Sequence, residues 1–104
     1  MQNKITKITK KQKHWLVEIN NNKYFYIIKS NRKNKKYDVY GFNNDKFKYL
    51  LSFGHSLYQH YKDILGGYKN LNHNDEERKE RYYKRFGDTN DIYSAKWWSH
   101  RILW

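Results

Sequence analysis

The stretch KHWLVEINNNKYFYIIK, residues 13–29, contains two alternating segments separated by three asparagines. In the first segment Trp15, Val17 and Ile19 fall on one face and the residues between them on the other, which is the period of a half-buried β-strand. The asparagines at 20–22 are typical of a turn. The second segment, KYFYIIK, is apolar on both faces, which indicates a central strand. The stretch therefore predicts an antiparallel hairpin.

Two further segments extend this hairpin into a meander. YDVYGF at 37–42 is followed by the turn NND and then by KFKYLLSF at 46–53. In the last segment every second residue is large and apolar, which places four side chains on one face: Phe47, Tyr49, Leu51 and Phe53. Because short turns between consecutive strands favour antiparallel neighbours, the sequence predicts four antiparallel strands in chain order.

After Gly54 the apolar period changes from that of a strand to that of a helix. The segment SLYQHYKDIL at 56–65 starts at a serine suited to capping and ends before two glycines, so it predicts a first helix. A second helix is predicted over 75–86, where Asn74 and a glutamate three residues later form a capping-box pattern. A third helix is predicted to follow a cap at Ser94.

The sequence thus predicts an α+β fold, a four-stranded antiparallel meander followed by three short helices. Residues 13–104 are expected to form a single α+β domain. Residues 1–12, MQNKITKITKKQ, carry four lysines and no acid. They are predicted to be a basic N-terminal arm, with a mobile segment and a poorly anchored edge strand as the two alternatives.

Positive charge dominates the composition. The chain has 22 Lys and Arg against 10 Asp and Glu, a formal net charge of +12. Such an excess predicts attraction to polyanions such as nucleic acid or an acidic membrane face. The densest cluster lies around the loop SNRKNKK and predicts a clamp for phosphates, with a solvated hairpin tip as the alternative: Lys29, Arg32, Lys33, Lys35 and Lys36.

A second group of cations lies on one face of the second predicted helix. Arg78, Arg81 and Arg85 recur at helical spacing. Their planar guanidinium groups suit phosphate or carboxylate, which predicts an anion-binding face. A solvated face with intrahelical pairs, such as Glu77 with Arg81, has equal weight.

Three tryptophans in the closing segment SAKWWSHRILW divide between two helix faces. Trp98 shares its face with small and apolar residues and is predicted to be core: Ala95, Ile102 and Leu103. Trp97 and Trp104 are predicted to form a separate, partly exposed pair beside Lys96 and Arg101. For this pair, ordinary packing, an interface anchor and stacking on unpaired bases are the alternatives. Lys96 and Arg101 complete the predicted nucleic-acid-binding residues.

Motifs for catalysis or metal binding are absent from the sequence. There is no Cys, and the spacings of His60 with Asp63 and of His73 with Asp75 do not match a usual zinc site. There is no Gly-rich phosphate loop or nucleophile elbow, no bilayer-spanning run and no signal-peptide pattern. YFYII and YDVYG resemble the paired tyrosine strands of GIY-YIG nucleases but lack the opening Gly-Ile-Tyr, so a nuclease ranks below a binding protein. We expect no enzymatic activity, no cofactor and no metal.

The last half of the chain resembles a family of short basic proteins of large DNA viruses that infect algae and protists. The resemblance lies in SFGHSLYQHYKD, HNDEERKERYYKRFG and SAKWWSHRILW. The matching positions are Phe53, Gly54, Tyr58, Tyr61, His73, Asp75, Arg78, Tyr82, Arg85, Trp98, Ser99, Leu103 and Trp104. The chain departs from the family at His55, where an acid often stands, and at Trp104, where many relatives continue. The resemblance transfers no activity; it implies viral origin and a place in the virion or its packaged genome.

These observations together predict a non-enzymatic, virion-associated protein that binds nucleic acid, with DNA favoured, and with little sequence specificity. It would occur in the virion and, during infection, in the host cytoplasm or nucleus. The first alternative is a minor capsid protein that docks on larger virion subunits through exposed aromatic side chains. Nuclease-like or transcription-modulating factors and small domains that lay a sheet in the DNA major groove remain further alternatives.

Overall fold

The computed structural model describes residues 2–104, so Met1 of the predicted arm lies outside the described residues. Its strands are β1 (Ile5–Lys10), β2 (Trp15–Ile19), β3 (Lys23–Lys29), β4 (Lys35–Asn43) and β5 (Lys46–His55). Its helices are α1 (Glu76–Phe86) and α2 (Ala95–Ile102), preceded by one 3₁₀ turn at Lys69–Leu71. The predicted α+β class is confirmed, but the described residues form five strands and two α-helices instead of four and three.

The five strands form one antiparallel sheet in chain order, β1-β2-β3-β4-β5. Asparagine and aspartate make its tight turns, because they tolerate positive φ better than other residues with side chains. Asn20 and Asn21 have φ of 56° and 64° between β2 and β3. Asn44 and Asp45 have φ of 51° and 63° in the two-residue turn between β4 and β5. The predicted turns are therefore confirmed at both hairpins.

The predicted basic arm forms an edge strand. In β1, Ile5 lies opposite Ile19 and Ile8 lies opposite Val17. Both β1 isoleucines are half-buried and pack against the core. The two lysines of β1, Lys7 and Lys10, are exposed, and lysines on an edge strand are a common way to protect it from pairing with another chain.

The prediction of a helix over residues 56–65 is wrong, because this segment is not helical. Its backbone instead pairs with the C-terminal residues: the Lys62 N–H donates to the Leu103 carbonyl and the Ile64 N–H to the Ile102 carbonyl. Isolated helices of this length are marginal in water, so tertiary contacts override the periodic pattern. Ile64, an apolar residue of this segment, is exposed.

The core lies between one face of the sheet and α2. Trp98 of α2 contacts Phe25 and Phe53, with ring centroids 5.3 and 6.3 Å away. The predicted cap at Ser94 is confirmed, since its hydroxyl accepts from the Trp97 N–H at 3.2 Å. The predicted core position of Trp98 is confirmed as well, at 0% exposure.

The predicted exposure of Trp97 is wrong, because this side chain is also 0% exposed. Helix α2 is covered on more than one side: the sheet contacts Trp98, while the rings of Tyr82 and Tyr83 in α1 contact His100. The guanidinium of Arg101 lies 5.2 Å from the Trp97 ring centroid. A helix enclosed from several directions buries residues outside a single stripe.

A β-bulge in β5 changes which side chains share a face. Val39 lies opposite Leu51, whereas the next residue, Tyr40, lies opposite Tyr49. Leu50 is the extra residue of the bulge. Since side chains alternate with a period of two, one inserted residue moves Tyr49 and the positions before it to the opposite face. The prediction that Tyr49 shares a face with Leu51 is therefore wrong.

Candidate nucleic-acid interface

The sheet face opposite the core carries a connected set of aromatic rings, which we call the aromatic face: Tyr26, Tyr40, Phe42, Phe47 and Tyr49. In the part of the chain that the structure describes, the helix in contact with the sheet is α2, and it packs on the core face. Phe42, Phe47 and Tyr49 are 51%, 37% and 40% exposed. The aromatic face is thus open to solvent.

Three tyrosines form a row across three adjacent strands, β3, β4 and the edge strand β5. Tyr26 lies opposite Tyr40, and Tyr40 lies opposite Tyr49. The rings of Tyr26 and Tyr40 are stacked, with centroids 4.7 Å and planes 4° apart. Burial and the neighbouring Tyr40 raise the pKa of Tyr26 above its ordinary value, so this hydroxyl stays neutral at physiological pH.

The bulge adds Phe47 to the aromatic face beside this row. Its ring meets Tyr26 edge-on at 4.7 Å and lies 5.1 Å from Phe42. Edge-to-face and offset arrangements of this kind are preferred by aromatic pairs. The result is a platform of rings, some standing edge-on and some lying flat, which presents both π-faces and apolar edges to a ligand.

A cation is fixed at one side of the aromatic face. The guanidinium carbon of Arg32 lies 3.8 Å from the centroid of the Tyr49 ring, and its Nε lies 3.6 Å from Asp38 Oδ2. Asp38 is buried and accepts a 2.5 Å hydrogen bond from the Ser52 hydroxyl. Tyr49 and Ser52 share a further hydrogen bond of 2.8 Å. Arg32 is therefore held over the Tyr49 ring while about half of its side chain stays exposed.

The other cations of the predicted phosphate clamp point in several directions. Lys29 places its Nζ 4.7 Å from the Tyr68 ring centroid, and Tyr68 packs against the core. Lys33 and Lys35 are exposed. Of the predicted clamp, Arg32 therefore contacts the aromatic face, while Lys29 lies towards the core side.

The prediction that Lys36 binds phosphate is wrong, because its side chain is only 1% exposed. Its role is structural. Its Nζ donates to the backbone carbonyl of Tyr58 at 2.7 Å, which ties β4 to the segment after β5. Burial lowers the Lys36 pKa to about 8, and the charge of Asp63 opposes that shift. An ammonium group in this position cannot reach a phosphate on the surface.

The arginines of α1 occupy a separate surface with partners of their own. Arg78 donates to the Gln59 side chain at 2.9 Å, and Arg81 lies 3.9 Å from Glu77. Arg85 lies 5.3 Å from the ring centroid of its neighbour Phe86. The predicted pair of Glu77 and Arg81 is confirmed. The three arginines remain exposed or half-buried, and they are not brought together with the aromatic face.

The predicted residues of the last helix also separate. Lys96 is exposed, whereas Arg101 donates to Asp88 at 3.0 Å and covers Trp97. The guanidinium of Arg101 holds the pKa of Asp88 down at about 2. Trp104 is half-buried. Of these residues, Lys96 alone is fully available to a ligand.

Three histidines lie close to the core, and burial lowers the pKa of His60, His73 and His100 in each case. His60 Nε2 lies 2.6 Å from the Asn72 amide oxygen, and Asp63 accepts a 2.5 Å hydrogen bond from the Tyr37 hydroxyl. These contacts hold the 56–74 segment in place. Within the described residues, no group of three or more His, Cys, Asp or Glu side chains is placed to hold a metal ion.

The aromatic face was not among the predicted sites, although its strands were found. The signal available was the strong apolar character of both faces of β3, together with the alternating Tyr40 and Phe42 of β4. We interpreted this pattern as burial on both sides. Two helices are too few to cover both faces of a five-stranded sheet. The numbers of helices and strands cannot be deduced from the sequence of β3 alone.

The chain matches no protein-family model, no curated protein and no solved structure. None of the helices formed by residues 2–104 has the length and hydropathy needed to cross a membrane.

Proposed function

We propose that this protein binds single-stranded nucleic acid, with little sequence preference, through the aromatic face. The observation that supports the proposal is the open row of Tyr26, Tyr40 and Tyr49 with Arg32 stacked at its side. Rings on an uncovered sheet are a recurrent platform for unpaired bases. Stacking requires bases that are not already paired, which favours a single strand over a duplex.

The charge of the chain supports the same proposal. A net charge of +12 attracts a polyanion over a long range and raises the rate of encounter. Arg32 then lies where it can contact a phosphate beside stacked bases, and Lys33 and Lys35 are exposed and add to the positive charge. Every base has a π-face, so this mode of binding distinguishes sequences only weakly. The protein would act as a binding protein and not as an enzyme, and the setting implied by its resemblance is a viral genome or virion.

A purely structural role for the rings explains only part of the face. Cross-strand aromatic pairs stabilise sheets by about 0.2–1 kcal/mol each, which accounts for the contact of Tyr26 with Tyr40. It also accounts for the contact of Phe42 with Phe47, but not for the 51% of Phe42 that stays exposed at the sheet end. Large exposed apolar groups that lie together usually mark an interaction site.

The test is fluorescence anisotropy of a labelled thymidine oligonucleotide, a single-stranded RNA and a duplex, each over a salt series. Phe47→Ala should weaken single-strand binding about 5- to 150-fold, because stacking contributes about 1–3 kcal/mol per base. Phe86→Ala is the matched control, since it removes an equally exposed ring from α1. Equal effects of the two variants, or no binding of any oligonucleotide at low salt, would overturn the proposal.

A second candidate is a minor structural protein that docks on larger subunits. It is favoured by three apolar side chains in the segment after β5, Leu57, Tyr58 and Ile64, all of them exposed. They lie outside the aromatic face. This candidate replaces the first if the protein ignores nucleic acid even near 50 mM salt, where phosphate contacts are strong.

A further inference from the structure

A groove of about 550 Å³ opens at the end of the sheet where the β4–β5 hairpin turns. Its floor lies on the core side of the sheet and includes Phe25 and Gly41, which are neighbours across β3 and β4. Leu50 and Tyr93 form its apolar walls. The volume falls within the range of small-molecule sites, about 300–1,000 Å³.

The groove exists because two local features coincide. A Cβ at position 41 would lie 2.7 Å from Leu50 Cδ1 and 3.4 Å from Phe25 Cε1, so a side chain there would displace the bulged Leu50. Tyr93 belongs to the segment that leads into α2, and its side chain is 63% exposed. An aliphatic side chain, Leu50, and a phenol ring, Tyr93, thus both line the open space beside Gly41.

The charges around the groove are of one sign. Lys48 lies directly opposite Gly41 in β5, and Lys23 lies at the start of β3. Both lysines are exposed and line the groove, and none of the described lining residues is acidic. An apolar slot with ammonium groups at its edge is complementary to a flat, apolar ring that carries an anion.

We propose that this groove holds one nucleotide, with its base between Leu50 and Tyr93 and its phosphate on Lys23 and Lys48. The inference rests on the proposed function, because it makes the groove a pocket for one nucleotide of a bound strand. Phe42 and Tyr49 line the groove and also belong to the aromatic face. A strand lying on the aromatic face can therefore turn one base over the sheet end into the groove.

A free mononucleotide and a nucleotide within a strand both carry a base and a phosphate, so the experiment needs both ligands. We would record ¹H–¹⁵N spectra of the full chain with adenosine 5′-monophosphate, adenosine, inorganic phosphate and a thymidine oligonucleotide. The monophosphate should shift the amides of Gly41, Leu50 and Tyr93 and bind at least fivefold tighter than adenosine. Phosphate alone should leave these amides unchanged. The oligonucleotide should shift them together with those of the aromatic face.

Variants separate the base contact from the phosphate contact. Tyr93→Ala should weaken binding of both the monophosphate and adenosine. Lys23→Gln with Lys48→Gln should weaken the monophosphate alone, and Lys79→Gln with Lys84→Gln is the control of equal charge. Tyr93 is exposed, so its variant should fold, and the dispersion of its amide spectrum checks this directly.

The outcomes distinguish this inference from the proposed function. If an oligonucleotide shifts the amide signals of the aromatic face but not those of the groove, the groove assignment alone is overturned. If the monophosphate binds but no oligonucleotide does, two claims are overturned: the proposed function, and the proposal that a nucleotide of a bound strand occupies the groove. Equal shifts with phosphate alone would reduce the groove to an anion site. Shifts that depend on protein concentration without ligand would show that a second copy fills it.

Discussion

The indole of Trp104 stacks on the phenol ring of Tyr82, with ring centroids 4.1 Å and planes 6° apart. This contact joins the last residue of the chain to α1, a helix in which no residue is buried. The Tyr83 hydroxyl adds a 3.2 Å hydrogen bond to the His100 carbonyl. Helix α1 is thus attached to the domain by aromatic contacts, of which Trp104 supplies the closest, and by polar contacts such as those of Arg78 with Gln59 and of Glu76 with the Tyr61 hydroxyl.

We predict that Trp104→Ala loosens α1 without unfolding the sheet. The variant should lose about 1–3 kcal/mol of stability, since Trp104 is half-buried, and a double-mutant cycle with Tyr82→Ala should show a coupling of about 0.5–1.5 kcal/mol. Amide exchange in α1 should rise, while exchange in β2 and β3 stays slow. Additive losses in the cycle would show that the stack contributes nothing beyond separate burial.

Trp97 and Trp98 should contribute similarly to stability. Both are 0% exposed and they meet edge-on with centroids 5.0 Å apart. Trp97→Ala should therefore cost about 3–5 kcal/mol, the range for truncation of a buried tryptophan. Urea unfolding measures the loss. Tyr93→Ala, whose ring is exposed, should change stability by about 0.5 kcal/mol or less. A small loss at Trp97 would indicate that α2 can shift to fill the space.

The positions of Trp97 and Trp98 show what a helical wheel can and cannot predict. The wheel placed Trp98 correctly because Trp98 faces the sheet, a single flat neighbour. It failed for Trp97 because α1 and the Arg101 side chain cover α2 from other directions. The wheel also paired Trp104 with Trp97, which is wrong, because the helix ends at Ile102, the Trp104 N–H returns to the Ser99 carbonyl and the Trp104 ring stacks on Tyr82.

Local chemistry was predictable at most turns and caps, whereas nonlocal insertions were not. The cap predicted at Asn74 is wrong by one residue, because the Asp75 side chain accepts from the Glu77 and Arg78 N–H groups at the start of α1. The hairpin turns and the Ser94 cap follow from residues that act on their immediate neighbours. The bulge at Leu50 depends on the register with β4, and it decides which rings form the aromatic face. The segment 56–65 has a helical pattern, but the buried hydrogen bonds of His60 and Asp63 select another backbone path.

Mild acid should destabilise the protein through its buried histidines. Burial lowers the pKa of His60 and His100 in the folded state, so below the ordinary value of about 6.5 the unfolded chain binds more protons than the folded one. The contribution of these histidines to stability should therefore fall as the pH drops from about 6.5 towards 5. Asp88, with a pKa of about 2, contributes no change in this window.

Urea midpoints at pH 7.5 and pH 5 test this prediction, and one variant identifies a source. His100 contacts the rings of Tyr82 and Tyr83, its Nε2 has no hydrogen-bond partner and its Nδ1 lies 3.3 Å from Asp88 Oδ1. A phenyl ring keeps the ring contacts and removes the titrating group. His100→Phe should lose less stability at pH 5 than the parent protein. His14→Phe, on the opposite side of the sheet, should keep the full loss. A midpoint that rises in acid would contradict the argument.

The final prediction separates the charge of Arg32 from its shape. Its guanidinium lies on the Tyr49 ring, where a planar group stacks and a compact ammonium does not. Arg32→Lys should weaken single-strand binding by roughly 1 kcal/mol, about fivefold, with the salt dependence unchanged because the charge is kept. Arg32→Gln should weaken binding further and reduce the slope of log affinity against log salt by about 0.7, the value for one phosphate contact on a single strand.

Lys36→Met serves as the control for this series, since it removes one charge from the same loop region but from a buried position. Its salt slope should equal that of the parent protein, because a buried ammonium displaces no counterion from the strand. Thermal unfolding of each variant confirms that the comparison is made between folded proteins. If Lys36→Met reduces the slope as much as Arg32→Gln, the strand responds to the net charge of the chain, and the position of Arg32 on the aromatic face has no special part in binding.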